Sequence, residues 1–178
     1  PSVDTHPEIW LLGSSDESAR IAAQLGTSYG FAQFFGTPGG PEAIRWYKEH
    51  FRPGRLGDKP RALAAVLAIC AETEEEANEL ALSTDLYFLG IERGFELPHL
   101  PSVETARNWP YTEFDLELIR RARSRRIVGT PSRVREGLER LAEEYAADEL
   151  LIVGPIHDFG KRLASFRLIA EAFGLEKS

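Results

Sequence analysis

Six residues, Gly13 to Ser18 in the order GSSDES, carry residue types that could bind an anion. They follow the apolar run IWLL and precede SARIAAQL, whose Ala19, Ala22 and Ala23 recur at helical spacing. A strand that hands over to a helix through such a segment brings three things to one point. These are free backbone N–H groups at the helix start, the positive end of the helix dipole, and the hydroxyls of Ser14, Ser15 and Ser18. Gly13 has no side chain and lets the backbone approach a ligand closely. Together they have the parts of a phosphate cup. The same letters also describe an ordinary helix cap, which needs only one serine or aspartate oxygen.

Other residue types that do chemistry are sparser. The four histidines, His6, His50, His99 and His157, are scattered without metal-ligand spacing, so no metal site is expected. His157 and Asp158 follow the apolar run ELLIVGPI, on the side of a parallel sheet where ligands bind. Asp158 reads equally well as the cap of the last helix. Cys70 sits in ALAAVLAICA and reads as a buried, inert thiol. A lone cysteine fits a reducing, cytoplasmic compartment. RRARSRR, residues 120–126, ends a helical segment in a chain of net charge −7 and lacks interleaved aromatics. Carboxylate pairing or a solvated face is the expectation there, with no nucleic-acid partner. The serines lack the elbow motif of acyl-transfer nucleophiles, and no catalytic acid, base or nucleophile is assigned.

The elements that must position these groups alternate. Strands are expected at 9–13, 29–35, 62–70 and 150–154, parallel and adjacent in that order. Helices are expected from Ser18 to Leu25, at 41–51, from Thr73 on a Thr73/Glu76 capping box, and from Pro131 behind a Thr130 cap. In the helix from Pro131, Val134, Leu138, Leu141 and Tyr145 make the apolar stripe. In the closing helix the inward face reads as Leu163, Phe166, Ile169, Ala170 and Phe173. An insertion at about 95–125, with three prolines over 96–110 and a helix after them, precedes the last strand. Phe34 and Phe35, being adjacent, cannot both face the core. The fold class is therefore α/β with parallel βα units, as one domain or part of one over residues 1–178. The 178 residues hold four such units, short of the eight that close a barrel. No apolar run approaches the roughly 20 residues that span a bilayer. PSVDTHPEIW has no signal-peptide pattern, and a start at proline points to processing or to a longer chain.

Longer stretches carry a resemblance. PEIWLLGSS with SARIAAQLG, YGFAQFF, IVGTPSRVREGL and the ending HDFGKRLASFRLIAEAFGL resemble the bacterial luciferase-like flavin monooxygenases, in that family's order and over nearly the whole chain. The resemblance implies a TIM (β/α)8 barrel of which this chain is roughly the C-terminal half, strands five to eight. It implies reduced FMN, possibly delivered by a separate flavin reductase, or in some branches F420, acting with dioxygen on a small organic substrate. By the same resemblance Ser15 and Ser18 match the hydroxyl donors of the flavin phosphate loop, and Ser14 a backbone donor. Gln33 falls on the strand beside the isoalloxazine. The missing partner is an N-terminal half-barrel or a second copy, because a free half barrel exposes two apolar strand edges. Two other functions stand beside this one: a non-catalytic flavin- or phosphate-binding relative, and an unrelated phosphate-binding α/β enzyme.

Overall fold

The apolar run at the start becomes β1, Trp10–Gly13, and Ser15 caps α1, Asp16–Leu25. In this computed structural model residues 7–175 are described, so His6 lies outside the described residues. The chain continues through β2, Ser28–Ala32, a 3-10 turn at Gln33–Phe35, and α2, Gly40–His50. Then come β3, Ala62–Cys70, α3, Glu74–Arg93, α4, Val103–Arg107, and α5, Glu113–Arg123. The last elements are β4, Ile127–Gly129, α6, Pro131–Tyr145, β5, Glu149–Val153, and α7, Phe159–Ala172. The chain divides into two compact units, one with residues up to Val66 and Arg140–Leu151, the other with Leu67–Glu139 and the chain from Ile152.

In the first unit β1 pairs parallel with β2, from Trp10–Ser28 to Gly13–Phe31, and β2 pairs parallel with β3, from Tyr29–Ala62 to Ala32–Ala65. Ala19, Ala22 and Ala23 are buried as their spacing predicts, and such small side chains let α1 lie close to α2. Gly26 ends α1 at φ +67°, and a Cβ there would meet the Arg52 carbonyl at 2.5 Å, so only glycine fits. At the opposite end of the strands, Asp148 accepts the Ala62 N–H at 2.8 Å and pairs with Lys48 at 2.9 Å. Burial pushes its carboxyl up, but these partners outweigh it and hold the group below the usual carboxylate range. Arg61 bridges Glu8 and Glu149 at the same end.

In the second unit the C-terminal half of β3 pairs parallel with β4, from Ala68–Ile127 to Cys70–Gly129. β5 also pairs with β3, as the expected strand order requires. β4 was not expected: at three residues it is too short to show a period. The 96–110 stretch, whose three prolines predict an irregular connection, contains α4, capped by Ser102. With α5 it packs on α3 around Leu86, Leu89, Ala106 and Leu118, with Phe95 stacked on Trp109. Thr112 and Asp115 close a capping box on α5, and hydrogen bonds from Thr112 hold the Asp115 carboxyl below its usual range.

Asp85 of α3 is buried and takes Arg123 in a two-nitrogen grip at 2.7–2.9 Å and Arg126 at 2.7 Å. RRARSRR thus includes carboxylate partners, as expected. Burial lowers the Arg126 guanidinium against the opposing pull of Asp85, and the ring of Phe88 lies 4.8 Å below it. Tyr111 is pushed up to about 12, by burial first and then by the charges of Asp85 and Asp115.

α7 corrects the expected inward stripe. Ser165 and Ile169 face inwards, while Leu163 and Phe166 are 54% and 38% exposed. The cause is polar: the Ser165 hydroxyl accepts the Cys70 N–H at 2.8 Å, which turns the 165/169 face to β3. α6 keeps its predicted stripe of Val134, Leu138, Leu141 and Tyr145.

Candidate functional site

The sheet sets the site by ending β1 at Gly13, beside Phe31 near the end of β2. Ser14 and Ser15 therefore emerge at the C-terminal edge of two parallel strands, where α1 begins. Ser15 is the N-cap residue: its hydroxyl oxygen accepts the Ser18 N–H at 3.3 Å. The helix starts at Asp16, two residues before the expected Ser18, because this cap recruits the intervening turn. The amides of Asp16 and Glu17 occupy the first two helical positions, which have no intrahelical acceptor. Asp16 and Glu17 also place carboxylates in this turn, and Asp16 pairs with Arg20 at 3.5 Å.

Gly13 is required here for a reason beyond ligand access. A Cβ on it would fall 2.3 Å from Oγ and 2.4 Å from Cβ of Ser18, so that side chain fills the space above the glycine. Gly13→Ala is expected to destabilise the protein by about 1–3 kcal/mol, as overpacking does. Adding Ser18→Gly should recover part of that loss. Chemical denaturation of both variants checks it, and equal stabilities for Gly13→Ala and the parent would contradict the tight packing.

The Ser18 hydroxyl donates to the Ser15 carbonyl at 2.6 Å and lies 3.0 Å from the hydroxyl of Tyr29, which also reaches the Ser15 carbonyl at 3.1 Å. Tyr29 is fully buried, and burial, with the Asp16 charge adding, raises its hydroxyl above the ordinary tyrosine value despite the bond to Ser18. Sequence reasoning missed Tyr29. The available signal was its place on the strand next to β1, which puts it across from Leu11.

The structure thus gathers Gly13, Ser14, Ser15 and Ser18 at one point. Gln33 is not on a strand as expected. β2 has its last pairings at Phe31 and Ala32, and Gln33 opens a 3-10 turn closed by the Gly36 N–H at 2.9 Å. It follows β2 at the same edge of the sheet as Ser14. The rings of Phe34 and Phe35 touch in a tilted arrangement with centroids 4.5 Å apart, and Phe35 is exposed, as their adjacency requires. A cleft of about 400 Å³ opens between the starts of α1 and α2, bounded by Ser15, Asp16, Arg20, Thr37, Gly39 and Trp46. α2 has Gly39 as N-cap and no side-chain cap bond, so a second helix start faces this cleft.

In the second unit, Asp158 caps α7 by accepting the Lys161 N–H at 2.7 Å, and His157 is an exposed residue before it. Cys70 is buried, and burial with the nearby Glu74 charge pushes its thiol up to about 11, which leaves it protonated and inert. Among the described residues no group of three or more His, Cys, Asp or Glu side chains could hold a metal ion, and no helix is long and apolar enough to cross a membrane.

Comparison with known proteins settles the lineage. The family model described as luciferase-like monooxygenase matches residues 1–149. The chain belongs to the luciferase-like monooxygenase family. It is 43% identical over 173 residues to the uncharacterized protein YwcH of Bacillus subtilis, covering 97% of this chain and 52% of that protein. The crystal structure of apo-MsnO8 is 34% identical and superposes at a TM-score of 0.82, covering all of this chain and 54% of the other. The oxygenating constituent of 3,6-diketocamphane monooxygenase from Pseudomonas putida, solved in complex with FMN, shares the fold at 18% identity and a TM-score of 0.61, over 97% of this chain and 48% of that one. The chain spans about half the length of each of these proteins.

Proposed function

We propose that this chain is the phosphate-holding half of a flavin-dependent monooxygenase that uses reduced FMN and dioxygen on a small organic substrate. The observation that carries the proposal is the set of hydrogen-bond donors left over at the start of α1. Ser15 uses its oxygen as the cap and keeps its hydroxyl proton for another acceptor. Ser14 has no side-chain hydrogen bond among the described residues, and the amides of Asp16 and Glu17 add two more donors. Four donors around one helix start fit the acceptor oxygens of a phosphate. The relative from Pseudomonas putida, whose structure holds FMN, supports the same cofactor.

When bound, reduced flavin supplies the electrons that activate dioxygen; the residues of this chain bind and orient it. Ser14, Ser15 and the first-turn amides would hold the phosphate, Gly13 keeps the turn close to β1, and Gln33, at the same sheet edge, would help hold the rest of the flavin. The acidic first turn works against an anion, and Arg20 offsets part of that charge through Asp16. No residue is given a proton-transfer role.

Two outward apolar surfaces, one in each unit, fit a chain that packs against further βα units. Leu12 on β1 is 61% exposed, with Ile21 and Leu25 of α1 also outward; on α7 the outward residues are Phe159, Leu163 and Phe166. We assign these surfaces to the N-terminal half of a (β/α)8 barrel rather than to a second copy. We place the protein in a reducing, cytoplasmic setting, and a flavin reductase is its expected source of reduced cofactor.

Titration with FMN and with riboflavin, which lacks the phosphate, tests the proposal. FMN should bind at least tenfold more tightly. Equal affinities would remove the phosphate cup, and binding of F420 without FMN would move the chain to the deazaflavin branch.

A further inference from the structure

Two hydroxyls, one backbone N–H and one carbonyl meet at the junction, and their protons can be counted. The Ser15 carbonyl oxygen is approached by the Ser18 hydroxyl at 2.6 Å, the Tyr29 hydroxyl at 3.1 Å and the Ala19 N–H at 3.4 Å. Ser18 has one proton, and the short bond commits it to that carbonyl. Tyr29 also has one, and it lies between the Ser18 oxygen at 3.0 Å and the carbonyl. Ser18 therefore cannot donate to a phosphate without first releasing the Ser15 carbonyl. The carbonyl then keeps the Tyr29 hydroxyl and the Ala19 N–H, of which Tyr29 at 3.1 Å is the nearer.

Resting on the reading that this turn holds the flavin phosphate, we propose that Tyr29 is a positioning residue that makes Ser18 available to the anion. When Ser18 rotates its proton outward, the Tyr29 hydroxyl swings fully onto the Ser15 carbonyl and keeps it satisfied. When the anion leaves, Ser18 returns and Tyr29 donates to the Ser18 oxygen again. The exchange moves hydrogen bonds only; no covalent bond forms or breaks, and each oxygen keeps its proton. Two features suit Tyr29 to this task. Its ring is fixed by burial and by contact with Tyr47 at 5.4 Å, so the hydroxyl stays within reach of both oxygens. Burial also raises its hydroxyl above the ordinary tyrosine value, which favours the protonated, donating form.

The test is Tyr29→Phe, alone and combined with Ser18→Ala, read as the ratio of riboflavin to FMN dissociation constants. A general loosening of the fold weakens both ligands and leaves the ratio unchanged, whereas loss of the exchange weakens FMN alone. Tyr29→Phe should lower the ratio about tenfold, Ser18→Ala should do the same, and the double variant should fall no further. A parent ratio well above one that Tyr29→Phe leaves intact would overturn the Tyr29 assignment and keep the phosphate site. So would additive losses in the double variant. A parent ratio of one would overturn both.

Discussion

Replacing Asp85 by alanine should destabilise the protein by about 3–5 kcal/mol, the largest effect expected of any single substitution here. Arg126 is only 4% exposed and its nearest counter-charge is Asp85; Arg123 shares the same carboxylate. Removing the acid leaves a buried guanidinium beside a second one, with hydrogen bonds to that carboxylate unmade. The pair also fastens the inserted helix, because Arg123 lies at the end of α5 and Asp85 in the middle of α3. The other end of α5 is held by Arg93 and Asp115 at 2.9 Å. Denaturant unfolding of Asp85→Ala measures the loss directly. Replacing Asp85 and Arg126 together by leucine and methionine should restore much of it, since an apolar pair is often as stable as a buried ion pair. A cost below about 1 kcal/mol for Asp85→Ala would mean that the cluster is solvated and not structural.

Exchanging Ser15 for aspartate should separate the cap from the cup. Aspartate caps a helix as well as serine does, and a negative charge at the helix start is favourable, so α1 and the overall stability should be kept. The same carboxylate replaces a donor proton with a charge facing the phosphate. The preference for FMN over riboflavin should then disappear. The double change Ser15→Ala with Ser18→Ala removes two hydrogen bonds to a charged partner, each worth roughly 1.5–3 kcal/mol, so FMN affinity should fall on the order of a hundredfold or more. Its cap loss is about 1 kcal/mol, small enough for the helix to persist. Paired titrations and thermal unfolding curves check both variants. Retained FMN preference in Ser15→Asp would make the serine a cap and nothing more.

Features set by local chemistry were legible in the sequence. Gly26 and Thr73 announced where α1 stops and α3 starts, Asp158 announced the cap of α7, and the alanines of α1 announced its buried face. Cys70 and the RRARSRR segment also behave as their surroundings dictated. What escaped was decided by partners distant in the chain. The inward face of α7 is chosen by one bond from Ser165 to the Cys70 amide, 95 residues away, against the pull of Leu163 and Phe166. β4 exists because the end of β3 offers it three pairings, too few for any pattern. The strand expected to run through Phe35 stops at Ala32, because β1 and β3 supply no pairing partners beyond Phe31 and Ala32. At the site, Gly13 and the serines were legible as types, but the proton arrangement was not. It depends on Tyr29, which only the register of β2 against β1 brings under the turn.

The most direct measurement of the central claim is a crystal structure of the protein grown with FMN. The flavin phosphate should lie within hydrogen-bond distance of the Ser15 hydroxyl and the amides of Asp16 and Glu17, with Ser18 turned from the Ser15 carbonyl toward it. A flavin phosphate bound anywhere else, with the Ser15–Ser18 turn unchanged, would contradict the account.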